Sequence, residues 1–174
     1  MRADATRNVE AVLRAAAQVF SADPQARIPD VAAAAGVDRR TVYRRFESRE
    51  DLLLAVYRTR LDHLESLIAS TLEDSRPPRE ALLTFCAGGI RLSRDWPADI
   101  RAVADPGIRR RREELDERME AFLRRAGVVA PGLPNGWALR VLQTQLHTAA
   151  QETSLEPAAA AELVVRTFLH GVSV

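Results

Sequence analysis

The chain has 174 residues, of which 47% are hydrophobic and 28% are charged, a composition that is ordinary for a globular protein with one or two small domains. No apolar run approaches the roughly 18 residues that a membrane span needs, and the N-terminus lacks the apolar segment of a signal peptide. The single cysteine, Cys86, excludes an internal disulfide, and a net charge of +1 means that any affinity for nucleic acid depends on local clustering. We therefore expect a cytoplasmic protein.

The first two predicted helices are amphipathic and run from about Asp4 to Ser21 and from Ile28 to Ala35. Asp23 and Pro24 end the first of them. Its apolar residues recur at three- and four-residue spacing and form one stripe: Val9, Val12, Leu13, Ala16 and Phe20. The stripe predicts a support helix that packs behind the elements that follow.

A break in the apolar pattern at Gly36 separates the second helix from a third. Gly36 readily takes the left-handed conformation that stops a helix, and Asp38 is placed to cap the next one by accepting from its free backbone N–H groups. The third helix is predicted over about Arg39 to Phe46, with Val42 and Phe46 on its buried side. Two short helices joined by a tight glycine turn form a helix-turn-helix, whose second helix fits the major groove of DNA.

The face of the third helix opposite its buried side carries the densest positive charge in this region. Between Arg39 and Arg49 there are five arginines and a single acid, Glu47. A run of arginines is often only a solvated face, but here it coincides with the glycine turn and the cap. Arginine and tyrosine suit phosphates, and arginine also reads guanine O6 and N7 in pairs. The residues expected to face DNA are Arg39, Arg40, Thr41, Tyr43, Arg44 and Arg45.

This stretch resembles the DNA-binding domain of the tetracycline-repressor (TetR) family of transcriptional regulators. The matching residues are Val12, Leu13, Ala15, Ala16, Phe20, Val31, Ala32, Ala35, Gly36, Val37, Thr41, Val42, Tyr43, Phe46, Ser48, Arg49, Glu50 and Leu52. The resemblance implies an all-α fold, in which a three-helix head binds DNA and a long helix leads to a helical body that binds a ligand and dimerises.

Three positions depart from the family pattern. Arg27 stands where a Ser or Thr usually opens the second helix, so we expect that helix, with Pro29 in its first turn, to form without a side-chain cap. Arg40 replaces a small residue, so base preference is not carried over from the family, and Arg49 replaces the usual Lys. The resemblance implies that Tyr43 and Arg49 hold phosphates and that Arg39, Arg40, Thr41 and Arg44 face the groove; Arg27 and Arg45 complete the predicted DNA-binding set.

A longer helix opens at Ser48, whose hydroxyl caps it while Asp51 reaches back, and it continues to about Thr71. At 1.5 Å per residue this helix spans roughly 35 Å, which is more than one small domain needs. We therefore predict a helix-turn-helix DNA-binding domain over residues 1–48 and a helical ligand-binding and dimerisation domain over residues 49–174.

The rest of the chain is also predicted to be helical, because it shows no alternating strand pattern and no Asn-Gly or Asp-Gly hairpin. The predicted helices span Pro78–Arg94, Ala98–Ala104, Ile108–Ala126, Trp137–Ser154 and Glu156–Gly171. Gly88 and Gly89 interrupt the first of these and predict either a bend or a close packing contact. The arginines from 109 to 112 are followed by acids at i,i+4, which favours a solvated face over a second DNA site; the expected pairs are Arg109–Glu113, Arg110–Glu114 and Arg112–Asp116.

The last two helices carry apolar residues on more than one face, and such a terminal helix normally hides one face against a partner. A single helix-turn-helix offers too few contacts for useful specificity, whereas a two-fold dimer presents two of them to a palindromic operator. As in the family, these helices are expected to form a four-helix interface, two from each subunit, that includes Leu142, Leu146, Val164 and Phe168.

The resemblance also implies a small-molecule effector that binds the body, with the resulting motion relayed to the head through the long helix. Candidate pocket residues carry a polar group or a flat ring on an apolar inner face: His63, Phe85, Cys86, Trp96, Phe122, Trp137 and Gln143. Ordinary core packing is the competing interpretation for each of them, and Trp137 fits the dimer interface equally well. A mostly apolar pocket would suit a hydrophobic or aromatic effector.

Enzyme activity is not indicated by this sequence. Cys86 and the three histidines lie on four different predicted helices without metal-binding spacing, and there is no phosphate-binding glycine loop. We expect no cofactor and no metal. Two hypotheses remain: a ligand-responsive repressor that binds a palindromic operator as a homodimer, or a helical sensor or interaction protein whose basic helix binds acidic partners or a membrane surface without reading sequence. The affinity ratio between an operator and random DNA separates them.

Overall fold

The structure is a computed structural model, in which residues 2–98 and 104–172 are described. These residues form eight helices and no strand, which confirms the all-α prediction. The helices are α1 (Arg2–Ala22), α2 (Ile28–Ala34), α3 (Arg39–Tyr43), α4 (Arg49–Leu72), α5 (Pro78–Asp95), α6 (Pro106–Arg125), α7 (Trp137–Gln151) and α8 (Pro157–Val172). The short helix predicted over Ala98–Ala104 falls on residues 99–103, which lie outside the described ranges.

The chain divides into two compact units. The first contains the described residues up to Asp62 together with Asp95–Ala98, and the second contains His63–Arg94 and the described residues from Ala104 onward. The division therefore falls inside α4, and the segment after α5 groups with the N-terminal helices. The domain boundary predicted after residue 48 stays a prediction.

Local hydrogen bonds set the limits of the short helices in the first unit. The Arg27 side chain makes no capping hydrogen bond to α2, as expected, and the Asp30 carboxylate instead accepts from the Arg27 backbone N–H at 2.7 Å. Gly36 has a φ of 66° and ends α2. The Asp38 carboxylate accepts from the Arg40 backbone N–H at 2.7 Å, which is the predicted cap of α3.

α4 begins with the predicted Ser48 cap, and Asp51 reaches back one residue further than Ser48. The Ser48 hydroxyl accepts from the Asp51 N–H at 3.0 Å, and the Asp51 carboxylate reaches back to accept from the Glu47 N–H at 3.2 Å. The core of the first unit joins α4 to the three helices before it, and it is built from Val12, Ala16, Phe20, Ile28, Val31, Val42, Phe46, Leu52, Val56 and Leu61. Full burial of one Val, Leu, Ile or Phe side chain stabilises a fold by about 1.5–3 kcal/mol. Because Val42 belongs to this core, the inner side of α3 is held in place.

In the second unit α7 packs against both α6 and α8. The largest buried side chains of this unit are Leu82, Ile90, Leu115, Met119, Leu123, Leu142 and Phe168. α5 runs without interruption through Gly88, where an added Cβ would lie only 2.6 Å from Leu67 Cδ1 of α4. Of the two predicted roles for this glycine, the structure shows close packing. No helix among the described residues has both the length and the apolarity to cross a membrane.

Candidate nucleic-acid interface

α3 buries one side and exposes the other. Val42 and Phe46 are almost fully buried, and the Phe46 N–H donates to the Val42 carbonyl at 2.9 Å. Regular helix ends at Tyr43, three residues before the predicted limit, but this hydrogen bond continues the helical turn to Phe46. The buried pair therefore holds α3 by its inner face and leaves the opposite face open.

The exposed face of α3 and the turn after it carries four arginines whose charge is not neutralised. Arg39, Arg40, Arg44 and Arg45 are all exposed, and none of their side chains forms an ion pair or hydrogen bond within residues 9–98 and 104–170. Half of the Tyr43 side chain is exposed as well. Clustered positive charge on an open helix face attracts a polyanion, and arginine forks can also contact base edges.

The two predicted DNA contacts outside α3 have different surroundings. Arg27 is exposed immediately before α2. Arg49 is half-buried, and its guanidinium donates from Nε to the Ala26 carbonyl at 3.0 Å and from Nη2 to the Pro24 carbonyl at 2.7 Å. Sequence patterns could not have indicated these acceptors, because backbone carbonyls carry no residue signature.

The predicted effector residues do not all belong to one unit. Trp96 is only 2% exposed and lies in the first unit, where its carbonyl accepts from Arg60 Nε at 2.8 Å. The Arg14 guanidinium lies over its ring, 5.9 Å from the centroid, and the Gln18 side chain donates to the neighbouring Asp95 carbonyl at 3.1 Å. Arg14 and Arg60 therefore hold Trp96 within the N-terminal unit, and its role in an effector pocket stays a prediction.

The other effector candidates lie in the second unit in varied surroundings. Phe85 and Cys86 are buried, and burial raises the pKa of the Cys86 thiol to about 12, so the thiol is neutral at pH 7 and unsuited to nucleophilic chemistry. The Gln143 amide donates to Asp116 Oδ1 at 2.9 Å, while Trp137 is 48% exposed. His63 and Phe122 are half-buried. Their role as a pocket stays a prediction, and the described residues contain no cluster of potential metal ligands.

The four predicted interface residues are largely buried within a single chain, and their place in a dimer interface stays a prediction. Leu142 and Phe168 have no exposed surface within a single chain, and Leu146 and Val164 have less than a tenth. These four side chains pack α7 and α8 inside the protomer and have little surface left for a partner. The large exposed apolar residues of the two helices are Trp137, 48% exposed, and Leu163, 43% exposed.

The fold and this surface define the class of protein. Two short helices joined by a glycine turn place an arginine face, which has no partner among the described side chains, outward from a buried core. This is the arrangement of a helix-turn-helix DNA-binding protein. Residues 12–56 match the family model described as "Bacterial regulatory proteins, tetR family".

Relatives extend this match over most of the chain. The HTH-type transcriptional repressor LfrR of Mycolicibacterium smegmatis is 35% identical over 144 residues, which cover 78% of this chain and 73% of LfrR. The uncharacterized HTH-type transcriptional regulator Rv1255c of Mycobacterium tuberculosis is 30% identical over 165 residues, covering 88% and 82% of the two chains. The crystal structure of LfrR from Mycobacterium smegmatis in complex with proflavine superposes with a TM-score of 0.80 at 27% identity, over 100% of this chain and 99% of that one.

The chain belongs to the TetR family and is a DNA-binding transcriptional regulator. The family is one of regulators rather than enzymes. The alternative hypothesis, a basic helix that binds acidic partners without reading sequence, is not favoured.

Proposed function

We propose that this protein is a ligand-responsive repressor that binds a palindromic operator as a homodimer in the bacterial cytoplasm. The observation that carries the proposal is the face of α3, where Arg39, Arg40, Arg44 and Arg45 are exposed without a neutralising partner in the described structure. In a chain whose net charge is only +1, this local concentration of charge supplies the attraction to DNA.

The DNA-facing residues take two roles in this proposal. Arg39, Arg40, Thr41 and Arg44 face the major groove, where arginine can bind guanine O6 and N7 together. The half-exposed Tyr43 holds a phosphate, and the exposed Arg27 and Arg45 add positive charge along the backbone.

A homodimer places two copies of α3 on two half-sites of a palindrome. We assign the interface to the outer faces of α7 and α8, where Trp137 and Leu163 are the large exposed apolar residues. Leu163→Asp should give monomers that bind the operator weakly, because a buried charge without a partner opposes association. Ala121→Asp, at an exposed position on α6, is the matched control. Dimers that persist in light scattering for Leu163→Asp would contradict this assignment.

The effector is proposed to be hydrophobic or aromatic. The second unit offers buried aromatic and sulfur-containing side chains such as Phe85 and Cys86, which suit an apolar molecule. LfrR has been crystallised with proflavine, a flat aromatic molecule, which makes proflavine the first compound to test. An effector releases DNA only if it binds the conformation that cannot bind the operator more tightly than the conformation that can. By linkage, this difference in effector affinity equals the factor by which the effector weakens operator binding.

The test selects the operator from random DNA and then screens compounds for its release. We expect a palindromic consensus, an affinity for it at least about a thousandfold above that for random DNA, and release by at least one aromatic compound. A protein that binds all duplexes alike would refute sequence-specific repression. A compound that stabilises the protein against heat and never alters operator affinity would show that its binding site is not a switch.

A further inference from the structure

One side chain joins the segment that precedes the helix-turn-helix to the helix that follows it. Arg49 Nε donates to the Ala26 carbonyl at 3.0 Å, and Arg49 Nη2 donates to the Pro24 carbonyl at 2.7 Å. The same guanidinium lies over the Phe20 ring, 4.5 Å from its centroid. Because both carbonyls precede α2 and Arg49 is the first residue of α4, these contacts close a loop that contains all of α2 and α3. We call the four residues the Arg49 clamp.

The contacts of this guanidinium differ from those of an arginine that is available to DNA. Its Nε–Nη2 edge, which is the edge that would grip a phosphate in a fork, already holds two carbonyls, and its flat face rests on an aromatic ring. The two carbonyls accept no other hydrogen bond from the residues that the structure describes. Arg45, four residues earlier, is exposed and has no such contacts.

We propose that Arg49 is a positioning residue for DNA recognition and not a phosphate contact. The clamp sets where α3 lies relative to α1 and α4, and base contacts from Arg40 and Arg44 depend on that placement. Hydrogen bonds to base edges are directional and tolerate displacements of only about 0.5 Å, whereas attraction to the phosphate backbone tolerates larger ones. Loosening the clamp therefore weakens operator binding more than binding to random DNA. This inference rests on the proposed function, since it requires a protein that reads sequence.

Charge-conserving variants test the proposal. Arg49→Lys keeps the positive charge but lacks the planar fork and the flat face that stacks on a ring. Phe20→Leu removes the ring and changes no charge. Arg109→Lys is the matched control on an exposed arginine of α6, outside the helix-turn-helix. For each protein we would measure the affinity for the operator and for random duplex over a salt series, together with the midpoint of thermal unfolding.

The proposal predicts that Arg49→Lys and Phe20→Leu each weaken operator binding roughly 5- to 30-fold. Their affinity for random DNA and the slope of affinity against salt stay at the wild-type values, because no phosphate contact is lost. The double variant should lose less than the product of the two single losses, since both act through one contact. Arg109→Lys keeps the wild-type affinity for both the operator and random DNA.

Two results would overturn the clamp. Wild-type operator affinity in Arg49→Lys would show that the charge alone matters, as for a phosphate contact. An equal loss on operator and random DNA, with a lower midpoint of thermal unfolding, would show that the residue only holds the fold together. If the wild-type protein does not prefer the operator over random DNA, the proposed function fails and the positioning role fails with it. If the wild-type protein prefers the operator and Arg49→Lys keeps that preference unchanged, only the clamp is refuted.

Discussion

Two arginine-rich regions of this chain have nearly the same composition and different surroundings. In α3 and the turn after it, four arginines lie exposed with no partner in the described structure. In α6 the run from Arg109 to Arg112 is followed at once by acids. There Arg111 forms an ion pair with Glu65 of α4, and Arg112 forms one with Asp116 at 3.0 Å.

The comparison shows that neighbouring acids, rather than the number of arginines, decide whether the positive charge of a run is balanced. The sequence predicted three i,i+4 pairs on α6, and of these the structure shows Arg112–Asp116. Arg109 and Arg110 are exposed, with no ion pair among the described residues, but acids lie on the same helix one turn away. The positive charge of the arginine run on α6 is therefore largely balanced by nearby acids, whereas that of α3 is not.

Charge reversal is the strongest way to break this comparison. Arg40→Glu combined with Arg44→Glu should weaken operator binding more than about a hundredfold, because like charges then face the phosphates. Arg109→Glu combined with Arg110→Glu is the matched change on α6 and should alter the affinity less than about threefold. Fluorescence anisotropy at one fixed salt concentration measures both. An equal loss from the two double variants would mean that α6 also contacts DNA.

Removal of a single arginine gives a smaller effect with more information. Arg44→Ala should cost about 1–3 kcal/mol of operator binding and relax the base preference at one position. Tyr43→Phe, which removes a hydroxyl proposed to hold a phosphate, should weaken binding to every sequence alike. A gel-shift series on operator variants distinguishes the two patterns. Unchanged affinity and unchanged preference in Arg44→Ala would exclude this residue from the groove.

On the α6 side of the comparison the expected effect is on stability. The Asp116 carboxylate accepts from Arg112 at 3.0 Å and from the Gln143 amide at 2.9 Å, and it is only partly exposed. Asp116→Asn should lower the free energy of unfolding by about 1 kcal/mol, because charge-assisted hydrogen bonds are weakened. Urea unfolding measures this, with the exposed Glu113→Gln as control. DNA affinity should not change, and a change in it would link this network to recognition.

The smallest effect is a pH dependence. The hydrogen bond from Arg111 and its positive charge lower the pKa of Glu65 below its ordinary value of 4.5. When the pKa of a carboxyl group is lower in the folded than in the unfolded state, its ionisation stabilises the fold at pH values above the unfolded-state pKa. This contribution is lost as the pH falls through the folded-state pKa. The difference in urea midpoint between wild type and Glu65→Gln should therefore be constant above about pH 5.5 and shrink below about pH 4.5. A difference in urea midpoint that does not vary with pH would mean that the charge of Glu65 does not contribute to stability.

Short-range signals in the sequence predicted most of the fold. Gly36, Asp38 and Ser48 mark helix limits through bonds that reach only a few residues along the chain. The buried stripe of α1 and the buried side of α3 follow from helical periodicity, and the structure buries Val12 and Val42 accordingly. Such features are predictable because their causes lie within a few residues of their effects.

Residues with a choice of partners were not predictable in this way. The guanidinium of Arg49 donates to carbonyls 23 and 25 residues earlier in the chain, and no local pattern indicates these acceptors. The hydrogen bond from Arg60 of α4 to the Trp96 carbonyl, 36 residues away, has no local signal either. Nor does the full burial of Phe168 within one chain. The roles predicted for these two residues, in an effector pocket and a dimer interface, stay predictions.

The sequence by itself therefore determined the helical class, the helix-turn-helix and the basic face of α3, because periodicity, caps and turns act locally. Only the tertiary structure decided which of the described arginines have partners within the chain. It also decided which apolar faces are already covered inside the protomer. Both depend on which distant segments lie close together, and an amphipathic helix or a charged side chain has the same local pattern whether its partner is solvent, another helix or DNA.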